Sequence, residues 1–429
     1  MRFNIISETG DGAYLGPRLL EEGHDVRLWI RSHDCKEVME GIVDKVGTID
    51  ELTLGASKDE DIFIFDGTGN GIIADSLRGQ GFQVIGDSVL ADRLEEDREF
   101  GFEVMKQAGI DTPETEEFHS FEDAISYVES KEDGFVYKPS SRLGLESMSH
   151  VCHDKDETLE YLKEQRAEVR LEDISFSLQQ FTKGVAISTE IWFDGQDTIE
   201  GLSNHTLERK ELMNENLGPS GGCSGNTIWR CGECPLCERV RGVLPFLREH
   251  GYRGMLDLNA IVNEDGIFGL EWTPRFGYDA APTMLLKLVD GEIGFFLQDM
   301  SRGTFEANHW ELKEGFASSL RVSIPPYPTE KYHADSGTTI GGLSAQAQKD
   351  CALFNVRRSA EGKLESAGAW GIILVITGWG NSIPNSYEVP YRIAERLKLP
   401  DKQYRTDLVE QFEKDFRKVE RMLERIEVA

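Results

Sequence analysis

The chain opens with a short apolar run, Phe3-Asn4-Ile5-Ile6, followed by Gly10-Asp11-Gly12, by Leu15, Leu19 and Leu20 at helical spacing, and by Asp25-Val26-Arg27-Leu28-Trp29-Ile30. That succession predicts strand, glycine turn, helix and strand. A second unit repeats it, with Asp61 to Asp66 as a buried strand, Gly67 to Gly71 as its loop, a helix near Ile72 to Leu77 and Val84-Ile85-Gly86 as the next strand. Residues 1–92 therefore read as a small parallel α/β domain of Rossmann-like kind. Gly10, Gly12 and Gly16 do not complete a dinucleotide fingerprint. From Ala91 to Met105 the pattern is one charged amphipathic helix, stopped by Gly109 and Pro113. Phe118 to Phe181 alternates helices with short strands and predicts an α+β unit, with a smaller lobe at about 110–182. Further strands are expected at Ala186–Phe193, Gly254–Val262 and Ile267–Trp272, and 316–407 reads as β-rich with its own turns. In the last stretch, 408–429, Phe412, Phe416, Val419, Leu423 and Ile426 recur every three or four residues, the pattern of a docking or dimer helix.

Charge changes the list of partners. Forty-six Lys and Arg against 77 Asp and Glu leave a net charge of −31 over 429 residues. Such a field repels phosphate backbones and anionic membranes, so neither nucleic acid nor membrane is an expected partner. A basic cleft could still receive a phosphorylated small molecule. No run approaches the roughly 18 to 20 apolar residues of a membrane span, and the start enters a strand without a signal-peptide core, so the chain reads as cytoplasmic. Four of the seven cysteines crowd into Cys223, Cys231, Cys234 and Cys237. In a reducing compartment that argues against a disulfide framework and for metal or plain thiols.

Three constellations could carry chemistry. Asp257 and Asn259 lie two residues apart on one strand, Glu271 and Thr273 on the next, and Asn263-Glu264-Asp265-Gly266 joins them as a hairpin. Each pair shares a face, so four oxygen-bearing side chains converge in the manner of a Mg²⁺ site that also meets nucleotide phosphates. A solvated sheet face is the bland alternative. Lys138 ends an apolar strand ahead of Ser140, Ser141, Arg142, Leu143 and Gly144, a loop able to close backbone donors over a phosphate. It lacks the ending of a Walker A loop. Gly218-Pro219-Ser220-Gly221-Gly222-Cys223-Ser224-Gly225 is too glycine-rich for a stable element and long enough to wrap a ligand, with a flexible linker as the bland alternative. Cys223, Cys231, Cys234 and Cys237 offer the four thiolates of a structural Zn²⁺ site, with an iron-sulfur cluster, free thiols and a redox pair as alternatives and His205 and His250 as spare ligands.

The order of these motifs carries a resemblance. Lys138 with its loop, Gln179-Gln180-Phe181-Thr182-Lys183-Gly184, Gly218 to Gly222 and Glu271-Trp272-Thr273-Pro274-Arg275-Phe276-Gly277-Tyr278-Asp279 resemble an ATP-grasp enzyme. Within that superfamily the chain is similar to the phosphoribosylamine-glycine ligase (glycinamide ribonucleotide synthetase) family. Pro326-Tyr327-Pro328, Gly341-Gly342-Leu343, Thr377-Gly378-Trp379-Gly380 and Tyr404-Arg405-Thr406-Asp407 extend the likeness to about residue 410. The resemblance implies an ATP-grasp fold of α/β and α+β class, with a pre-ATP-grasp domain at 1–92, the ATP-grasp domain at 93–315, a β-rich carboxyl-terminal domain at 316–407 and a last helix. Adenine would lie near Gln179, Gln180, Phe181 and Thr182, Lys138 would bind phosphates, and Ser140, Ser141 and Gly144 would close over them. Glu271, with Thr273, Asp257 and Asn259, would hold Mg²⁺ or Mn²⁺. Arg275 would steady the reacting phosphoryl group, with Lys210 as a further catalytic cation. Gly218, Pro219, Ser220, Gly221, Gly222 and Asp279 would line the acceptor site.

The implied reaction phosphorylates a carboxylate with ATP, and an amine then attacks the acyl phosphate to give an amide. An amino acid and an amine would be the small-molecule partners of a monomer or homodimer. Several positions depart from the family. Thr273 replaces a metal-binding asparagine, Phe102 replaces an ATP lysine with Arg98 one turn away, and Ala186 replaces a glutamate with Glu190 two pleats along. Leu207-Glu208-Arg209-Lys210 and Asp66 to Gly71 differ where substrate would bind. A ligase joining other substrates and a nucleotide-binding protein without turnover are the alternatives.

Overall fold

Strand Arg2–Ser7 has one partly exposed residue and five buried ones, and Asp61–Phe65 is buried throughout, so both need cover on two faces. They are neighbours in a five-stranded sheet of order Asp44–Lys45, Asp25–Ile30, Arg2–Ser7, Asp61–Phe65, Gln83–Ile85, with every pairing parallel. The computed structural model describes residues 1–139, 149–168, 175–232, 234–304, 309–329 and 333–426. Just beyond the Asp61–Phe65 strand, the Asp66 carboxylate accepts from Ser7 Oγ and from the Gly12 amide. A Cβ on Gly12 would lie 2.4 Å from Asp66 Cβ, which is why the turn after the first strand needs glycine there.

Burial pushes the Asp66 carboxyl up to about 7, with the charge of Asp11 adding to it. Between pH about 4 and about 7 the folded chain therefore holds a proton that the unfolded chain releases, so this group makes stability fall as pH rises across that window. In Asp66→Asn the amide oxygen can accept from the same two donors and does not titrate. Urea unfolding across that window should show a fall shallower than the parent's by up to about 1.4 kcal/mol per pH unit. Identical slopes would remove Asp66 as the source.

The single helix expected from Ala91 to Met105 is two helices, Val89–Glu96 and Arg98–Gln107. Asp97 leaves helical geometry, and its side chain accepts from the Phe100 amide at 3.1 Å, capping the second helix. The break brings Glu95 and Arg98 to the same pocket.

A second sheet pairs Thr115–Phe118, Phe176–Gln180, Phe135–Pro139 and His150–Val151, in that order and all antiparallel. Phe118, Phe121, Phe135, Phe176 and Leu178 give this small lobe an apolar cluster separate from the main core.

The third sheet has eight antiparallel strands in the order Ile267–Thr273, Gly254–Val262, Val185–Phe193, Thr198–Glu211, Ser220–Arg230, Phe316–Ser323, Ile372–Gly380, Cys351–Leu353. Three strands from the stretch 316–407 thus continue the sheet that carries the acidic hairpin, while Ser336–Thr339, Leu364–Ala367 and Val356–Arg358 form a small sheet of their own. Ser220 to Gly225, expected as a flexible loop, belongs to one of the eight strands. Pairing anchors the run at its two ends, Ser220 to Glu211 and Gly225 to both Arg209 and Leu320, and the missing side chains serve close packing: a Cβ would lie 2.4 Å from the Tyr327 hydroxyl at Gly221 and 2.3 Å from Leu408 Cδ1 at Gly225. Helix Leu408–Leu423 docks onto its own chain, with Phe412 and Val419 buried and Phe416 edge-on to Trp229 at 5.0 Å. Among the described residues no helix is long and apolar enough to cross a membrane.

Candidate active site

The two-residue spacing on the hairpin becomes direct opposition. Asp257 faces Thr273 and Asn259 faces Glu271 across the ladder. Asn259 Nδ2 donates to Asp257 Oδ2 and to Thr273 Oγ1, both at 3.3 Å. The neighbouring strand, Val185–Phe193, sets Glu190 beside Asp257 and Ser188 beside Asn259. Beyond it, Asn204 and Thr206 donate to the Glu190 carboxylate at 2.5 and 2.7 Å. One sheet face thus gathers Glu190, Asp257 and Glu271 with a floor of short polar side chains.

Burial pushes the carboxyls of Asp257 and Glu190 well above the usual range, Asp257 to about 8, and nearby acids add to it: Glu208 and Glu271 for Asp257, Asp257 for Glu190. Asp257 Oδ1 is buried and has no hydrogen-bond partner among the described residues. A repelling carboxylate group with an unpaired oxygen, floored by Asn and Thr, fits a hard divalent cation such as Mg²⁺.

Cations face this floor. Burial lowers Lys138 to about 8 although the charge of Glu271 opposes it. Desolvation in the cleft works against the charge on Lys210, and Glu271 with Glu208 outweighs it, holding that group above its ordinary value. Arg275 Nε donates to both Glu95 oxygens, at 2.9 and 3.1 Å, and its guanidinium stands 4.7 Å from the centre of the Tyr278 ring. Burial raises Glu95, and Arg275 works the other way. Arg98 Nη1 donates to the Pro139 carbonyl at 3.4 Å, next to Lys138. Glu95, Arg98, Phe102, Lys138, Glu271 and Trp272 line one pocket.

If Lys138 holds phosphate, binding should follow its charge. Above pH about 8 the ammonium is lost, so log Kd for MgATP should climb with a slope approaching one per pH unit, while Lys138→Met should bind more weakly with a flat profile. Titration calorimetry between pH 6.5 and 9.5 reads both, and a parent profile as flat as the variant's would contradict the role.

Between the lobes, the side chains of Gln179 to Thr182 are occupied locally. Gln179 Nε2 donates to Thr115 Oγ1 at 3.3 Å, Gln180 Nε2 to Asp133 at 2.7 Å, Phe181 meets the His153 ring edge-on at 4.9 Å, and Thr182 Oγ1 donates to the Gln180 carbonyl at 3.4 Å. The backbone then runs on into the eight-stranded sheet.

No family model matches the chain. Among curated proteins it is similar to the phosphoribosylamine-glycine ligases of Corynebacterium ammoniagenes, 24% identical over 363 residues and 78% of each chain, and of Halalkalibacterium halodurans, 23% identical over 354 residues with the same coverage. Among solved structures it superposes on the phosphoribosylamine-glycine ligase of Thermotoga maritima with a TM-score of 0.72 at 21% identity, covering 95% of this chain and 100% of that one. The biotin carboxylase domain of Hydrogenobacter thermophilus 2-oxoglutarate carboxylase, solved with MgADP, ADP and bicarbonate, follows at a TM-score of 0.61 and 15% identity, covering 96% and 94%. The chain has the ATP-grasp fold. Among proteins of that fold it resembles the phosphoribosylamine-glycine ligases.

The ATP-grasp cleft holds Lys138, Arg98, Glu271 and Arg275 close together, with Asp257, Asn259, Thr273 and Glu190 on its floor. Ser140, Ser141 and Gly144 lie outside the described residues. Asp279, expected at the acceptor site, is buried and paired with Arg321 through Nε at 3.2 Å and through Nη2. Arg321 in turn donates to the Gly221 carbonyl at 2.9 Å and to the Tyr327 hydroxyl at 2.7 Å, which fixes the glycine strand while Ser220 at its start and Gly218 and Pro219 before it remain exposed. Cys223 is not beside Cys231. Eight residues of strand at about 3.3 Å each separate them, and Cys223 lies near Glu208, Asp279 and Arg321. His205 completes the group that Cys223 was expected to join.

Asp11, Glu95 and Glu208 lie within electrostatic reach of Arg275, and Arg321 within reach of Asp11 and Glu208. Arg321 had a legible signal, a lone charge inside the apolar strand Phe316–Ser323. Glu95 had none, being one acid among several in a charged helix.

Proposed function

We propose that this protein is an ATP-dependent carboxylate-amine ligase that acts through an acyl phosphate, with glycine and phosphoribosylamine as its substrates. The observation that carries the reading is the apposition of a cation-ready acid floor, Glu271, Asp257, Asn259 and Glu190, to Lys138, Lys210 and Arg275. An acid floor alone would repel ATP, and cations alone would leave the reacting oxygens without a template. Glu271, Asp257 and Asn259 would hold Mg²⁺, which supplies charge neutralisation and alignment of phosphate oxygens when bound.

The chain's own groups do the rest. The adenine end sits by the Gln179 to Thr182 backbone, and Lys138 with Arg98 counters the phosphate charge. A carboxylate oxygen attacks the terminal phosphorus, and the bond to the bridging oxygen breaks as ADP leaves. Arg275, anchored by Glu95, neutralises the phosphoryl oxygens in that step. The amine then attacks the acyl carbon, phosphate departs with the carbonyl-side electron pair, and the amine loses a proton. Lys210 is the cation at the acceptor side of the floor.

Glu208 favours a second reading that keeps this chemistry. Its carboxyl is raised by burial and stands near Lys210, Asp279 and Arg321, and a buried acid suits a cationic amine better than a phosphorylated one.

Release of ADP and phosphate, with glycine and freshly generated phosphoribosylamine each omitted in turn, separates the readings. Dependence on both with an amide product supports the purine-type reaction. Turnover only with other amines supports the second reading, and ATP binding without turnover across a carboxylate and amine panel contradicts the ligase.

A further inference from the structure

On the Thr198–Glu211 strand, Asn204 and Thr206 reach Glu190 in the acid floor, so His205 between them points to the opposite face of the sheet. There it meets Cys231, at the end of the next strand, and Cys234 and Cys237, around the start of helix Pro235–Arg241. His205 Nε2 and the three sulfurs all lie within 4.8 Å of one another. Nε2 stands 3.4 Å from Cys234 Sγ and 3.9 Å from Cys237 Sγ. Zinc at about 2.3 Å from sulfur and about 2.0 Å from nitrogen makes a tetrahedron with edges of about 3.5–3.8 Å. The two distances from Nε2 have the length of such edges, whereas the Cys231 and Cys237 sulfurs stand closer together than one.

We propose that His205, Cys231, Cys234 and Cys237 form a structural zinc site on the back of the eight-stranded sheet, behind Glu190. Two independent features besides the cluster itself point to a metal. His205 Nδ1 is hydrogen-bonded to Thr189 Oγ1 at 2.8 Å, an outer partner that turns Nε2 toward the sulfurs. The Cys237 amide donates to Cys234 Sγ at 3.3 Å, stabilising a thiolate in a Cys-x-x-Cys turn. The sequence contains two such turns in succession, Cys231-Gly232-Glu233-Cys234 and Cys234-Pro235-Leu236-Cys237. His205, Cys231 and Cys237 are buried and Cys234 half-buried, so the shell is closed, as a structural rather than catalytic ion requires.

The competing arrangement is a disulfide between Cys231 and Cys237, whose sulfurs are in bonding contact. Their Cα atoms are 7.3 Å apart, outside the usual disulfide span of about 4.4–6.8 Å. With a disulfide, Cys234 Sγ and His205 Nε2 would keep only their mutual hydrogen bond at 3.4 Å. A zinc ion satisfies all four groups and ties two strands of the cleft floor to one helix.

The test uses the full chain purified with reductant and without chelator, then incubated with Zn²⁺ and desalted. Elemental analysis should find about one zinc per chain, and after metal removal in denaturant all seven cysteines should titrate as thiols. His205→Ala and Cys234→Ser should lose the ion, His205→Cys should keep it, and Cys223→Ser should keep it as well. Should the first two variants fail to fold, Co²⁺-loaded parent protein decides, through the visible bands of tetrahedral cobalt and thiolate charge transfer. Five titratable thiols without zinc would establish the disulfide and overturn the proposal. Iron with acid-labile sulfide would overturn it, and so would loss of zinc from Cys223→Ser.

Discussion

Arg275→Ala should lower ADP formation at saturating ATP by about 10³-fold or more, the range found where an arginine neutralises a transferring phosphoryl group. The guanidinium is held on both sides, by the Glu95 carboxylate and by the Tyr278 ring, so it reaches the cleft already oriented. An interaction made mainly in the transition state should lower kcat while the KM for ATP changes little. Truncation also leaves Glu95 without its partner in a site where burial already raises its pKa, so a loss of several kcal/mol of stability is expected if the acid stays charged. Protonation offsets part of that loss at low pH. The double variant Glu95→Gln with Arg275→Ala should recover stability but not turnover, and Arg275→Lys should recover little turnover because one ammonium cannot reproduce the fork. Recovery of activity in the double variant would make Arg275 a purely structural residue.

Glu271→Gln should cost about 10²- to 10³-fold in kcat, comparable to removing one charged stabiliser from an enzyme transition state, and should raise the Mg²⁺ concentration needed for half-maximal rate. A second signature distinguishes it from general damage. Glu271 supports the protonated forms of both Lys138 and Lys210. Without it Lys138 falls further below about 8, so the pH above which MgATP binding weakens should move down. Lower activity with an unchanged binding profile would mean that Glu271 does not face Lys138 in the working enzyme.

Legibility of the site divides along a physical line. Asp257, Asn259, Glu271 and Thr273 could be read because strand alternation and a short turn are local properties of the chain, and the ladder turned that spacing into direct opposition. Lys138 was legible as a charge closing an apolar strand. The pairing of Glu95 and of Asp279 was not readable, since each meets an arginine about 180 or 42 residues away. The glycine run misled for a related reason: flexibility is an attribute of the isolated segment, and the pairing of its ends together with Arg321 and the Tyr327 hydroxyl on the Gly221 carbonyl removes it. The cysteines show the limit of spacing as a guide. Cys223 is close to Cys231 in number and far along an extended strand, whereas His205, distant in number, is placed by strand pairing within reach of the other three.

In the proposed reaction the ATP phosphoryl group passes to a carboxylate oxygen. The most direct measurement incubates the protein with MgATP, phosphoribosylamine and glycine labelled with oxygen-18 in both carboxyl positions, then determines the mass of the phosphate released. An acyl phosphate requires one labelled oxygen in each phosphate and ADP as the nucleotide product. Amide formation accompanied by unlabelled phosphate, or by AMP carrying the label, would contradict the account.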